Sequence, residues 1–162
     1  MNYRFTQRLP DDYYQKAILV SGIDTAILSN YEFLVVEDGE HVQCFEIRYE
    51  WHCSPFQDAL MVGDVLAIGF EEYFYLYDLS KGQNILRLHM DGYFGNLTFH
   101  NAQFLVADAY GLHCVSLDGS IVWQNDGLAV DGVLIDSLTD GLIYGQGEHD
   151  PPGGWEDFVL DR

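Results

Sequence analysis

Basic side chains are scarce. The 162-residue chain has seven lysines and arginines against 26 acids, a formal net charge of −19. From Leu88 to Asp161 there is no Lys or Arg at all, while twelve acids fall in that span. That half forms no internal salt bridge with Lys or Arg. Its negative potential repels nucleic acid and anionic membranes and draws cations or basic proteins. The basic, aromatic-interleaved surface of a nucleic-acid binder is missing. Long hydrophobic runs are lacking as well: Ala17–Val20 and Val65–Ile68 are far too short to span a bilayer. The opening MNYRFTQRLPDDYYQK has no apolar core and no small-residue cleavage site, so a cytoplasmic protein is expected. Three cysteines, Cys44, Cys53 and Cys114, lack the CxxC spacing of a zinc site, and an odd number makes no disulfide framework. Each is expected as a small apolar core residue.

Catalytic signatures are missing too. There is no GxSxG, no phosphate-binding loop, no GxGxxG and no EF-hand loop. His41, His52, His89, His100 and His113 show no HxH or HxxxH pairing. The expectation is therefore a protein that is not an enzyme and holds no cofactor and no metal.

Helical periodicity is almost absent; Asp11 to Ala17 suits one short turn. Short runs of Val, Ile, Leu, Tyr and Phe recur instead, punctuated by Gly, Asp and Asn. They predict strands at 17–21, 33–37, 42–49, 59–62, 65–70, 73–79, 84–88, 95–100, 103–108, 111–117, 120–124, 132–136, 142–147 and 157–161. The runs also repeat. FLVVEDGEHVQCFEI (33–47), VLAIGFEEYFYLYDL (65–79) and FLVADAYGLHCVSLD (104–118) each read as an apolar run, a turn and a second apolar run. Leu34, Leu66, Leu105 and Leu142 are equivalent, spaced by 32, 39 and 37 residues.

A period near 38 residues with several strands per unit predicts antiparallel, propeller-like repeats. Each unit is too small to bury its faces alone and stacks on its neighbours. The expectation is one all-β domain, residues 1–162, with units near 31–62, 63–101, 102–139 and 140–162. A small or open β-propeller and a rolled sheet both fit. Unit length and the "apolar run, D-x-x-G, apolar run" rhythm resemble WD-repeat and quinoprotein-type propellers, although the GH and WD dipeptides are missing.

A second resemblance lies in WQNDGLAVDGVLIDSLTDGLIYGQGEHDPPGGWEDFVLD, residues 123–161. It is similar to the tails of small bacterial β proteins that carry a DGVxI…GxGExDPPGGW pattern, about a quarter of this chain. Such proteins resemble the immunity class encoded beside secreted toxins. The resemblance implies a cytosolic, acidic protein that sterically neutralises a basic cognate toxin, such as a nuclease, and no established chemistry. His149 departs from the pattern and takes no role from it.

The turns carry the candidate site. Glu71, Glu72 and Tyr73 lie between two predicted strands; Asp91, Tyr93 and Phe94 lie in a Gly-rich, acidic and aromatic turn. Asp108 and Tyr110 occupy the position equivalent to Glu71. Glu148, His149, Asp150, Trp155, Glu156 and Asp157 flank Pro151-Pro152-Gly153-Gly154, which must be an irregular turn. Because acid recurs at one turn of every unit, these residues are expected to share an acidic rim that binds a basic protein partner through aromatic anchors. Turns favour Asp and Gly in any case. A small-ligand-binding or hydrolytic propeller with the enlarged last turn as a lid, and a non-catalytic scaffold module, are the alternatives.

Overall fold

The computed structural model describes residues 1–161. By compactness the chain falls into two units, residues 1–52 and 53–162.

In the first unit β1 (Asn2–Thr6), β2 (Ile18–Leu19), β3 (Asn30–Asp38) and β4 (His41–Tyr49) form one sheet, and a short helix α1 (Asp11–Tyr14) lies between β1 and β2 in the chain. Its order is β1-β3-β4-β2. β3 and β4 make a long hairpin, Leu34 opposite Phe45 and Val35 opposite Cys44, and only β2 runs parallel to its neighbour. Period-2 alternation sends Phe33, Val35 and Cys44 to the side where Leu9, Tyr13 and Ala17 pack. β1 was not expected, because Tyr3 and Phe5 alternate with Asn, Arg and Thr in too short a run to stand out; pairing with β3 creates the strand.

The second unit contains three successive meanders. The first is β5 (Gln57–Val62), β6 (Val65–Phe70), β7 (Tyr73–Asp78) and β8 (Gln83–His89). The second is β9 (Phe94–His100), β10 (Gln103–Asp108), β11 (Gly111–Ser116) and β12 (Ile121–Asp126). The third has three strands, β13 (Val133–Thr139), β14 (Leu142–Glu148) and β15 (Trp155–Asp161). All three are antiparallel. Among the described residues the molecule is thus all-β, with four sheets of three or four strands, none closed into a barrel.

Each meander begins one strand earlier than the frames 63–101 and 102–139 read from the sequence. The aligned apolar runs are second and third strands, buried on both faces. The first strand is only half-apolar: Gln57 and Asp58 are exposed while Ala59 is buried.

Two apolar layers hold the meanders together. Phe104 and Val106 of β10 face Ala67, Phe74 and Leu76, with Met90, Phe94 and Leu97 filling between. Leu105 and Ala107 point the other way, with Leu112 and Cys114, onto Val133, Ile143 and Ala129. Successive residues of one strand therefore serve opposite cores, which is why β10 and β11 read as continuous apolar runs rather than alternating ones. β9 lies against β5 and β6 on one side and β13 on the other, so the first strands of the meanders are neighbours. Gly69 is required where this layer is tightest: a Cβ there would lie 2.0 Å from Cε2 of Phe94.

Among the described residues no helix is long and apolar enough to cross a membrane. Cys44 and Cys114 are buried as expected, but Cys53 is exposed on the segment entering β5. Trp51 is 65% exposed.

Candidate functional site

The segments entering each meander are gripped where second strands turn into third strands. Glu71 adopts a left-handed φ of 51° in the β6–β7 turn. Its carboxylate accepts the N–H groups of Cys53 and Ser54 at 2.7 and 2.9 Å. Its carbonyl accepts the N–H of Phe94 at 2.6 Å, and that of Glu72 accepts Met90 at 2.9 Å. One turn thus holds the segments entering β5 and β9. The next two turns hold the segment entering β13. Ala109 C=O accepts Gly132 N–H at 2.8 Å, Tyr110 C=O accepts Leu128 N–H at 2.9 Å, and Glu148 C=O accepts Val130 N–H at 2.8 Å. A Cβ on Gly147 would lie 1.9 Å from the Leu128 carbonyl oxygen. Gly147→Ala is therefore expected to push this segment off the third meander and destabilise the fold by about 1–3 kcal/mol or more, measured by urea unfolding.

Asp108 is built into the same device. Its Oδ1 accepts the N–H groups of Tyr110 and Gly111 at 2.8 and 2.7 Å, and its Oδ2 lies 2.7 Å from Nε2 of His113. Asp108 is only 2% exposed. Burial pushes its carboxyl upward, but the His113 contact and the two backbone donors outweigh that and hold it below the ordinary carboxylate range. Glu148, also buried, accepts the N–H of Gly153.

At these three turns the acid is therefore an internal acceptor for backbone N–H groups that folding removes from water. Glu71, Asp108 and Glu148 leave the expected acidic rim and become structural. So does Phe94, which is fully buried in the core.

The remaining candidates separate into three groups. Glu72 and Tyr73 pack with β8: Tyr73 lies 4.9 Å from the His89 ring, 5.7 Å from the Tyr75 ring and 5.7 Å from the Arg87 guanidinium carbon, and Glu72 is 3.8 Å from His89. Glu156 and Asp157 are exposed on β15, where Asp157 accepts a hydrogen bond from Gln146 at 2.8 Å.

Tyr93, Tyr110 and Trp155 form the third group. Cη2 of Trp155 and the hydroxyl of Tyr93 converge on Gly132, 3.3 and 3.4 Å from where a Cβ would stand. Gly92 backs onto Ala109 and Tyr110, with the Tyr110 ring 3.1 Å from its Cβ position. Tyr93 donates its hydroxyl to the Asp131 carbonyl at 2.6 Å and has the Asp131 carboxylate at 3.2 Å. Burial first, then the charge of Asp131, pushes this phenol up to about 12, so it remains a neutral donor. The Phe56 ring lies 6.3 Å from Tyr93. Tyr110, Trp155 and Phe56 are exposed, with Asp91, Asp131, His149 and Asp150 exposed nearby in the chain. Phe56 and Asp131 were not singled out from the sequence; Asp131-Gly132 beside an apolar strand was the available signal.

The stretch between β14 and β15 is a self-closed turn. His149 N–H donates to Gly154 C=O at 2.9 Å and Gly154 N–H to Asp150 C=O at 3.0 Å, around a cis Pro151–Pro152 bond. Gly154 is needed because a Cβ would meet Asp150 at 2.6 Å. Among the described residues no three His, Cys, Asp or Glu side chains are grouped to hold a metal ion.

No family model matches the chain, and no curated protein matches it. Among solved structures it is similar to the AfRom2 CNH domain, at 10% identity and a TM-score of 0.42, over 65% of this chain and 34% of that one. The chain thus spans about a third of the length of that structure.

Proposed function

We propose that this protein is a binding protein of the immunity type that neutralises a basic protein toxin by covering it. The reading is supported by one observation above all: Tyr93 and Trp155 converge over Gly132 beside Asp131, with Tyr110 packed against Gly92, in a stretch of chain that contains no Lys or Arg from Leu88 to Asp161. Half-buried rings held by a fixed backbone present large area at little entropic cost, the property that makes Tyr and Trp interface anchors. Uncompensated carboxylates around them steer a cationic partner and suppress anionic ones. A nuclease toxin, whose Lys and Arg side chains hold phosphates, presents the complementary surface. Neutralisation by steric cover requires no catalysis.

The test is co-expression with the product of the neighbouring gene, read as rescue of growth, followed by stopped-flow association of the purified pair. Reversing Asp91, Asp131 and Asp150 to Lys is expected to slow association at low salt by about tenfold or more and to flatten its salt dependence. An unchanged rate at low salt would overturn the steering role.

A further inference from the structure

The third meander is exposed along one edge. Its β15 corresponds in order to β7 and β11, whose residues are nearly all buried and which are each covered by a fourth strand. β15 instead pairs with β14 and is the last strand of its sheet among the described residues. Val159 is 55% exposed and Trp155 39%.

The ladder tells which backbone groups are free to pair. His149 N–H donates across the turn to Gly154 C=O, whereas Glu148 N–H points the other way, to Gly132 C=O at 2.9 Å. Glu148 and Trp155 are thus a non-hydrogen-bonded pair, and such pairs alternate with bonded ones along an antiparallel ladder. Trp155, Asp157, Val159 and Asp161 therefore turn their N–H and C=O groups away from β14. Their side chains share one face, because the alternating Phe158 and Leu160 pack into the core. On that face Val159 stands opposite Tyr144, itself exposed.

We propose that β15 accepts an extended, basic segment of the partner protein as an added antiparallel strand. This deepens the binding function proposed above and rests on it. The row Asp157, Val159, Asp161 fixes the chemistry: an apolar side chain beside Val159, with Lys or Arg two positions away on each side, facing the carboxylates. A second copy of the chain is disfavoured as the occupant, because antiparallel pairing about Val159 would set Asp157 of one copy against Asp161 of the other.

The probe is a short synthetic peptide with valine at its centre and lysine two positions to either side, compared with a version carrying glutamate for lysine. Amide hydrogen exchange of the full chain is followed by NMR. The lysine peptide is expected to slow exchange at Asp157, Val159 and Asp161 by about tenfold or more, leaving Phe158 and Leu160 unchanged. Asp157→Lys/Asp161→Lys is expected to transfer that protection to the glutamate peptide. Val159→Pro removes an outward N–H at a site where an edge strand tolerates proline. It is expected to abolish peptide binding while the Ile143–Gly147 resonances keep their positions, which reports the fold separately.

Slow exchange at these amides before peptide is added would overturn the proposal, since the edge would already be covered by the chain's own segment or, if concentration-dependent, by a second copy. Protection confined to Tyr93, Tyr110 and Asp131 would also overturn it, leaving the aromatic face as the whole interface. In that case the basic-partner reading survives; failure of the full toxin to bind at all would remove both.

Discussion

Asp108→Ala is expected to lower folding stability by several kcal/mol, roughly 1–3 kcal/mol for each buried donor left without its acceptor. At this chain length each kcal/mol corresponds to about 2–4 °C in Tm. Three contacts disappear together: the N–H groups of Tyr110 and Gly111 lose their acceptor, and Nε2 of His113 loses its carboxylate. Among the described residues His113 Nδ1 is already buried without a hydrogen-bond partner, so the substitution leaves both ring nitrogens unsatisfied. Asp108→Asn keeps an acceptor for the two backbone groups and is expected to cost less; the difference between the two variants isolates the backbone clasp from the charge. The pH dependence has a definite sign. A carboxyl held below its unfolded value contributes stability that is fully present above the unfolded value, near pH 4, and is lost as pH falls through the lower folded one. Urea unfolding across that window should show a steeper acid-side loss in the native protein than in Asp108→Asn. Equal slopes would mean that Asp108 contributes nothing through its charge.

The same residue shows how far the sequence could be read. The strands were legible because β6, β7, β10 and β11 are continuous apolar runs separated by Gly and acidic turns, and the recurrence of acid at those turns was real. Its direction was not legible. Whether Asp108 faces solvent or a backbone N–H depends on where the segments between meanders pass, and those segments are placed by long-range bonds such as Gly132 N–H to Ala109 C=O. Turn chemistry favours Asp in either case. The Tyr93–Trp155 encounter was hidden for the same reason, since the two residues meet over Gly132 from separate parts of the chain. Phe94, next to Tyr93, looked like part of one aromatic tip. Strand alternation separates the two, and a first strand only half-apolar gives no strong period from which to read it.

That separation of neighbours yields the second large effect. Phe94→Ala is expected to destabilise the fold by about 3–5 kcal/mol, because a buried phenyl leaves a cavity that its surroundings fill only in part. The surroundings here are Gly69, whose missing Cβ the ring replaces, and the layer made by Phe74, Phe104 and Met90. Gly69 has no side chain that could move into the gap. Association with a basic partner, measured on the fraction that stays folded, should be close to native. Trp155→Ala is expected to do the reverse. Its ring is partly exposed, so little core is lost, yet the anchor over Gly132 disappears; affinity should fall by about tenfold or more while the urea midpoint moves little. Measuring both variants by urea unfolding and by partner titration separates stability from recognition within one aromatic set. If Phe94→Ala lost affinity without losing stability, the buried layer between the first two meanders would be misassigned. If Trp155→Ala lost stability without affinity, the ring over Gly132 would belong to the core and the interface would have to be sought along β15.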